Sequence, residues 1–241
     1  MIDCEALVKT TEELRRELGL GASVARAEFE KSYHKSTLEF IGANAAAVRR
    51  VAKSLARSHR ESSRSDVLAI GEELWESGVH ELRSVALLYL IELSGKLRVG
   101  DLGRVRRYVR EGAGWALVDT IGCWLLPRLI DQDSRTLDVM DKWAVDRDFW
   151  VRRAAMLSLL ATLRRGELVH WPRFVRYSEP QLEEKEFFIR KCIGWVLRET
   201  SKKQPGVVFD YLLRNRDHVS GLTLREGAKY LPSVMRKRLG L

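Results

Sequence analysis

What this chain has little of excludes much. Its 241 residues hold three cysteines, Cys4, Cys123 and Cys192, odd in number and far apart. They make neither a disulfide framework nor a CxxC metal pair, so reduced, mostly buried thiols are expected. The five histidines (His34, His59, His80, His170, His218) are scattered, with no HExxH among them, which argues against zinc chemistry. There is no Walker A loop, no GxGxxG after a strand and no GxSxG elbow. A hydrolase built on this chain has to work with carboxylates and bound water, with no metal and no cofactor. No apolar run approaches the length of a membrane span, and MIDCEAL carries acids where a signal peptide needs a basic start. The expectation is a cytoplasmic protein with no membrane partner. Strand signals are nearly absent too: there is no sustained alternation and no Asn-Gly or Asp-Gly turn.

What is there is helix. Apolar spacing of helical period predicts helices near 3–18, 24–36, 45–59, 65–77, 80–94, 100–111, 114–131, 135–144, 149–165, 171–177, 184–202, 206–214 and 222–238, the last breaking at Pro232. Short joints between them predict antiparallel neighbours. The composition, 45% apolar and 31% charged, is that of an ordinary folded domain, and the net charge of +9 suits an anionic partner such as nucleic acid.

A repeat is visible. DFWVRRAAMLSLL from Asp148 matches EFFIRKCIGWVLR from Glu186, 38 positions on. HELRSVALLYL from His80 and GWALVDTIGCWLL from Gly114 have the same shape, and SGLTLREGAKYL from Ser220 is a degenerate copy. Two helices per unit at this period predict an all-α fold, an α-solenoid of antiparallel HEAT-like helix pairs spanning 1–241 as one domain, curved, with its inner helices on one concave face.

One stretch stands out. Between Glu111 and Arg128, EGAGWALVDTIGCWLLPR holds a single charge, Asp119, one turn beyond Trp115. Burying an unpaired carboxylate in so apolar a helix costs several kcal/mol, on the order set by desolvation. Asp119 therefore either has a cationic partner or lies on a wet face. Stepping by the repeat carries Asp119 to Arg153 and then Lys191, so an acid and two bases are expected to follow one another along the inner ridge. A structural ion pair with Arg153 is the plainer alternative. Trp115, Trp150 and Trp195, three of seven tryptophans, fall on the same three helices. Aromatic faces beside cationic side chains are what a nucleic-acid groove uses.

EFFIRKCIGWVLRE (Glu186–Glu199), DFWVRRAA (Asp148–Ala155) and GWALVD (Gly114–Asp119) resemble the signature blocks of the AlkD-like DNA alkylation repair family, bacterial HEAT-like-repeat DNA glycosylases. KSYHKSTLEFIG (Lys31–Gly42) resembles its N-terminal block more weakly, and the likeness spans roughly residues 25–230. The mix of aromatics, bases and Gly-Trp in the first block reads as more than helix packing demands. The resemblance implies six repeats whose basic concave face embraces duplex DNA. It also implies hydrolytic removal of purines alkylated at N3 or N7, with the lesion left in or near the duplex. By the same likeness Asp119 is the catalytic carboxylate, and Trp115 and Trp195 are DNA-contacting tryptophans. Arg153 is the arginine that holds the acid ionised and grips a phosphate, and Tyr33 is an aromatic that approaches the lesion. Arg190 and Lys191 of the first block and Arg152 of the second join the DNA-binding set. Ala116 stands where relatives often carry an acid, and Arg152 where some carry a polar neutral residue. The implied partner is duplex DNA containing alkylated purines, bound by a monomer that associates with the nucleoid.

Two rival readings remain. One is a non-catalytic solenoid binding damaged or branched DNA; the other is a HEAT-type scaffold for an acidic protein, which gives no reason for an isolated acid in an apolar helix. Within the catalytic reading, a self-resistance glycosylase for bulky alkylating natural products is a variant that the sequence leaves open.

Overall fold

The computed structural model describes residues 4–112 and 114–241, with only the backbone of 4–9. The expected helix start at Asp3 and the Cys4 thiol lie outside the described residues and side chains. Within them the chain is all helix and turn, with no strand and one isolated bridge, Glu39 to Val79. The helices are α1 (Cys4–Gly19), α2 (Val24–His34), α3 (Ala45–Ser58), α4 (Arg64–Glu76), α5 (His80–Glu92), α6 (Leu102–Gly112), α7 (Trp115–Thr120) and α8 (Leu126–Gln132). They are followed by α9 (Thr136–Trp143), α10 (Phe149–Leu157), α11 (Leu160–Arg164), α12 (Trp171–Ser178), α13 (Phe187–Ser201), α14 (Pro205–Arg214), α15 (Gly221–Gly227) and α16 (Ser233–Arg238). No helix among the described residues is long and apolar enough to cross a membrane.

The chain divides into two compact units, Met1–Ser134 and Arg135–Leu241. In the first, α3 and α4 pack on α5, whose Leu82, Val85, Ala86, Leu87 and Tyr89 are fully buried. Trp75 of α4 stacks on Tyr108 of α6 with centroids 4.3 Å apart, and its indole N–H donates to Glu111 at 2.7 Å. Arg83 of α5 lies over that ring, 4.6 Å from its centroid, and donates to the Glu111 carbonyl, so α6 ends against α5.

In the second unit α13 is the central helix, with α10, α11, α14 and α15 around it. Here the repeat shows itself in the caps. Asp148 accepts the Trp150 N–H at 2.8 Å and Glu186 accepts the Phe188 N–H at 3.1 Å, so the matching acids start the matching helices. Ser220 caps α15 in the same sense through the Thr223 N–H at 3.1 Å.

The Gly of the Gly-Trp pair has a packing explanation, contrary to the sequence reading. A Cβ on Gly194 would stand 2.7 Å from the Glu226 Cβ and 3.4 Å from the Thr223 backbone, so α13 and α15 touch through it. Gly194→Ala is expected to cost about 1–3 kcal/mol through overpacking, read as a lower urea midpoint. Gly206→Ala, where nothing lies within 4 Å, is the neutral comparison.

Two expected helices are not regular. The 149–165 stretch breaks between α10 and α11, where the Ser158 hydroxyl donates to the Ala155 carbonyl at 2.7 Å and Leu159 N–H tightens onto Met156. The 114–131 stretch holds together but widens into a π-turn, Ile121–Leu125, between α7 and α8. The break near Pro232 falls as expected, between α15 and α16.

Candidate functional site

The helix that carries Asp119 begins at Gly114, whose extended backbone caps α7 without a side-chain bond. Trp115 and Asp119, four residues apart, share a face, and both are half-buried. Leu117 and Val118 point the other way and are buried. So Asp119 is not sealed in the core: the amphipathic turn sends its apolar members inward and leaves Asp119 half-buried.

One residue beyond Asp119, after Thr120, comes the π-turn, closed by the Leu126 N–H onto the Ile121 carbonyl. Pro127 has no N–H to give and its ring crowds the carbonyl of Cys123, so the ladder loosens just before it. A turn wider than 3.6 residues brings residues spaced by four closer to one line. Thr120, Trp124 and Arg128 consequently fall on the wall of one cavity, and Trp124 is 57% exposed although its neighbours Gly122 and Leu125 are buried.

Facing Trp115 is the end of α2. Tyr33, 61% exposed, meets the Trp115 ring edge-on at 5.9 Å and 90°, and His34 meets it at 4.9 Å. His34 in turn stacks on His80 of α5 at 5.3 Å, and Phe40 stacks on His80 at 4.4 Å. Burial holds the His80 imidazole down at about 4, helped by repulsion from His34 when that ring is protonated and from Arg83, and burial lowers His34 as well. Both rings are neutral at neutral pH, as a stack of imidazoles requires.

None of the α2 side chains is buried, so packing alone does not hold this helix. The α2–α3 loop does. Glu81, 2% exposed, accepts the N–H groups of Ile41 at 3.0 Å, Gly42 at 2.6 Å and Ala43 at 3.2 Å. Gly42 has φ +84 and its carbonyl accepts the Ser23 N–H at 3.1 Å, and a Cβ there would lie 2.1 Å from the Ser23 oxygen. Ser23 then caps α2. One buried carboxylate thus fixes the loop that sets the position of Tyr33 and His34 against Trp115.

The other residues singled out in the sequence lie in the second unit. Arg153 of α10 is 3% exposed and donates to the Phe188 carbonyl at 2.6 Å, and the Cys192 thiol faces its own carbonyl at 3.8 Å. Arg152 donates to Gln181 at 2.8 Å and to the Asp146 carbonyl at 2.8 Å, and pairs with Glu184. Arg190 donates to the Glu184 carbonyl at 2.6 Å. Lys191 is paired with Glu226 at 2.9 Å, which holds the Glu226 carboxyl below its usual range. Trp195, further along α13, is half-buried, whereas Trp150 is buried. Arg152, Arg153 and Arg190 thereby tie α10, the 179–186 connection and the start of α13 together.

Sequence reasoning missed Phe40, His34, His80, Glu81 and Trp124. The first two lie within the KSYHKSTLEFIG block and His80–Glu81 open the HELRS repeat, yet nothing in either says that they meet. Among the described residues no group of His, Cys, Asp and Glu could hold a metal ion.

Comparison with known proteins follows the geometry. The fold matches a solved structure described as a predicted DNA alkylation repair enzyme from Enterococcus faecalis, with TM-score 0.80, 22% identity, 88% of this chain and 97% of that one. It also matches AlkD2 from Streptococcus mutans, with TM-score 0.59, 18% identity, 94% of this chain and 100% of that one. A search of the curated proteins found no match. At these identities the solved structures speak for the all-α repeat fold alone. The family model described as DNA alkylation repair enzyme matches residues 14–231, and on that match over most of its length the chain belongs to the DNA alkylation repair enzyme family.

Proposed function

We propose that this protein is a DNA glycosylase that hydrolyses the N-glycosidic bond of purines alkylated at N3 or N7 in duplex DNA, without drawing the base into a pocket. The observation that carries the reading is Asp119, a half-open carboxylate one turn from Trp115 in an otherwise apolar helix, with Tyr33 edge-on to that tryptophan.

Alkylation at N3 or N7 puts a positive charge on the purine and makes it a good leaving group. The bond then breaks through an oxocarbenium-like transition state, as in glycoside hydrolysis. Little acid catalysis is needed, since the base leaves neutral. A fixed anion near C1′ stabilises the developing charge and orders the attacking water, and such an electrostatic contact is worth about 3–4 kcal/mol when judged by the loss of one oxyanion-hole donor. Asp119 takes this role. Trp115 and Tyr33 pack on the sugar-phosphate edge from the first unit, and Trp195 and Lys191 contact the backbone from the second. Arg153, being buried, acts as a positioning residue: it orders the first turn of α13, which carries Lys191 and Trp195. Arg152 and Arg190 support the same turn, with what remains of their charge adding to the field toward phosphates.

Incubation with methylated duplex and chromatographic assay of the freed bases tests the reading, with 3- and 7-methylpurines expected. Tight duplex binding with no released base would establish the non-catalytic binder instead. In either of those cases affinity for plain duplex falls steeply with salt, log K against log salt having a slope of about −0.9 per phosphate contacted. A protein scaffold would show no such slope.

A further inference from the structure

The first unit contains a cavity of about 680 Å³, of whose lining the excision chemistry uses only Tyr33. Its walls are α2, the first turn of α3, one face of α5 and the Thr120–Trp124–Arg128 line created by the π-turn. That volume lies within the ordinary range for a bound small molecule. We propose that it is a nucleotide site, taking an aromatic base that donates N–H groups, with its phosphate at the mouth.

Each part of the wall answers to a part of such a ligand. Planar rings come from opposite sides: Tyr33 and His34 from α2, His80 from α5 and Trp124 from the π-turn. Trp124, more than half exposed, offers an open face for stacking, which every base can use whatever its sequence. Acceptors come from Glu30 and Ser84. Glu30 is half-buried and has no hydrogen-bond partner among the described residues. Burial and the nearby Glu81 raise its pKa, so a ligand N–H donor satisfies a group now held at a cost. The neutral imidazoles of His34 and His80 also carry ring nitrogens without partners among the described residues, each ring presenting one donor and one acceptor.

The phosphate end is equally specific. Several arginines elsewhere in the chain are tied to carboxylates, as Arg107 is to Glu72, Glu76 and Glu111 and Arg173 to Asp141. Arg49 and Arg128 are exposed on the cavity wall and have no carboxylate partner among the described residues. Two open guanidinium groups suit one phosphate. An acidic peptide would have to lie against Glu30 and Glu92, and a lipid chain would strand those carboxylates, so neither fits this lining.

The nucleotide has two sources, a free mononucleotide or an unpaired nucleotide extruded from DNA. Equilibrium dialysis with dAMP and with deoxyadenosine tests the first. A single-nucleotide bulge of unmodified adenine in a duplex, compared with the same duplex fully paired, tests the second. No alkylated base is present, so the outcome does not depend on glycosylase activity.

Saturable dAMP binding, weaker by about tenfold or more without the phosphate, supports a free nucleotide. A bulge preference of about tenfold supports an extruded one. Either is expected to disappear in Arg49→Glu/Arg128→Glu and in Ser84→Trp, which fills the floor, while circular dichroism and melting stay those of the wild type. Absence of both signals would overturn the proposal, and so would undiminished binding in a folded Ser84→Trp protein. Excision of methylpurine from fully paired duplex is expected to survive Ser84→Trp.

Discussion

Asp119→Asn is expected to lower the rate of methylpurine release by about 10²–10³-fold, the loss seen when one preorganised electrostatic contact is removed at a transition state. The substitution keeps shape and volume and removes only charge. Asp119 is half-buried rather than buried, and folding and duplex affinity are expected to stay near wild type. The split matters. A residue that merely held the helix in place would lower stability and binding together with rate, whereas an anion aimed at a sugar that becomes cationic lowers the rate alone. Single-turnover excision and equilibrium binding on one duplex separate the two, and Asp119→Glu, which restores charge at a displaced position, should recover part of the rate.

The second large effect concerns Glu81. Glu81 is 2% exposed, and its carboxylate takes three consecutive backbone N–H groups of the α2–α3 loop. Removing it in Glu81→Ala leaves three buried or half-buried donors without an acceptor. At roughly 1–3 kcal/mol for each unsatisfied group, a total loss of at least about 3 kcal/mol is expected, read by urea unfolding. The functional consequence is separate from the global one. Ser23 and Gly42 share the hydrogen bond that starts α2, and α2 buries none of its own side chains. Release of the loop therefore frees Tyr33 and His34 from Trp115, and duplex affinity falls even where the protein remains folded. Glu81→Gln keeps one acceptor oxygen and should lie between.

Most helix positions were legible because the caps are local. Ser23, Asn44 and Ser63 stand one residue before the helices they start, and each accepts an N–H from that helix's first turn. The repeat was legible for the same reason, since Asp148 and Glu186 perform one capping task twice. The π-turn was not: Pro127 sits inside a run whose apolar period is otherwise continuous, and period alone does not report a widened turn. Gly194 looked like a mark of function and is a point of close approach between helices, visible only once α15 is in place.

The site divides along the same line. Trp115 and Asp119 could be paired in sequence because four residues is one turn. The ring cluster of Tyr33, His34, Phe40 and His80 joins three separate segments, and only folding brings them to Trp115. In the second unit the local partners of the arginines were not legible. Arg152 donates to the Asp146 carbonyl, Gln181 and Glu184, and Arg153 donates to the Phe188 carbonyl, which a linear sequence cannot foretell.

The central claim concerns which bond is broken and by what. A duplex carrying one 7-methylguanine at a known position, incubated with excess protein and analysed by mass for both base and strand, tests it most directly. The account predicts intact 7-methylguanine in solution and an abasic strand in equal amount, with both lost in Asp119→Asn. Guanine restored in the strand, or release undiminished in that variant, would contradict it.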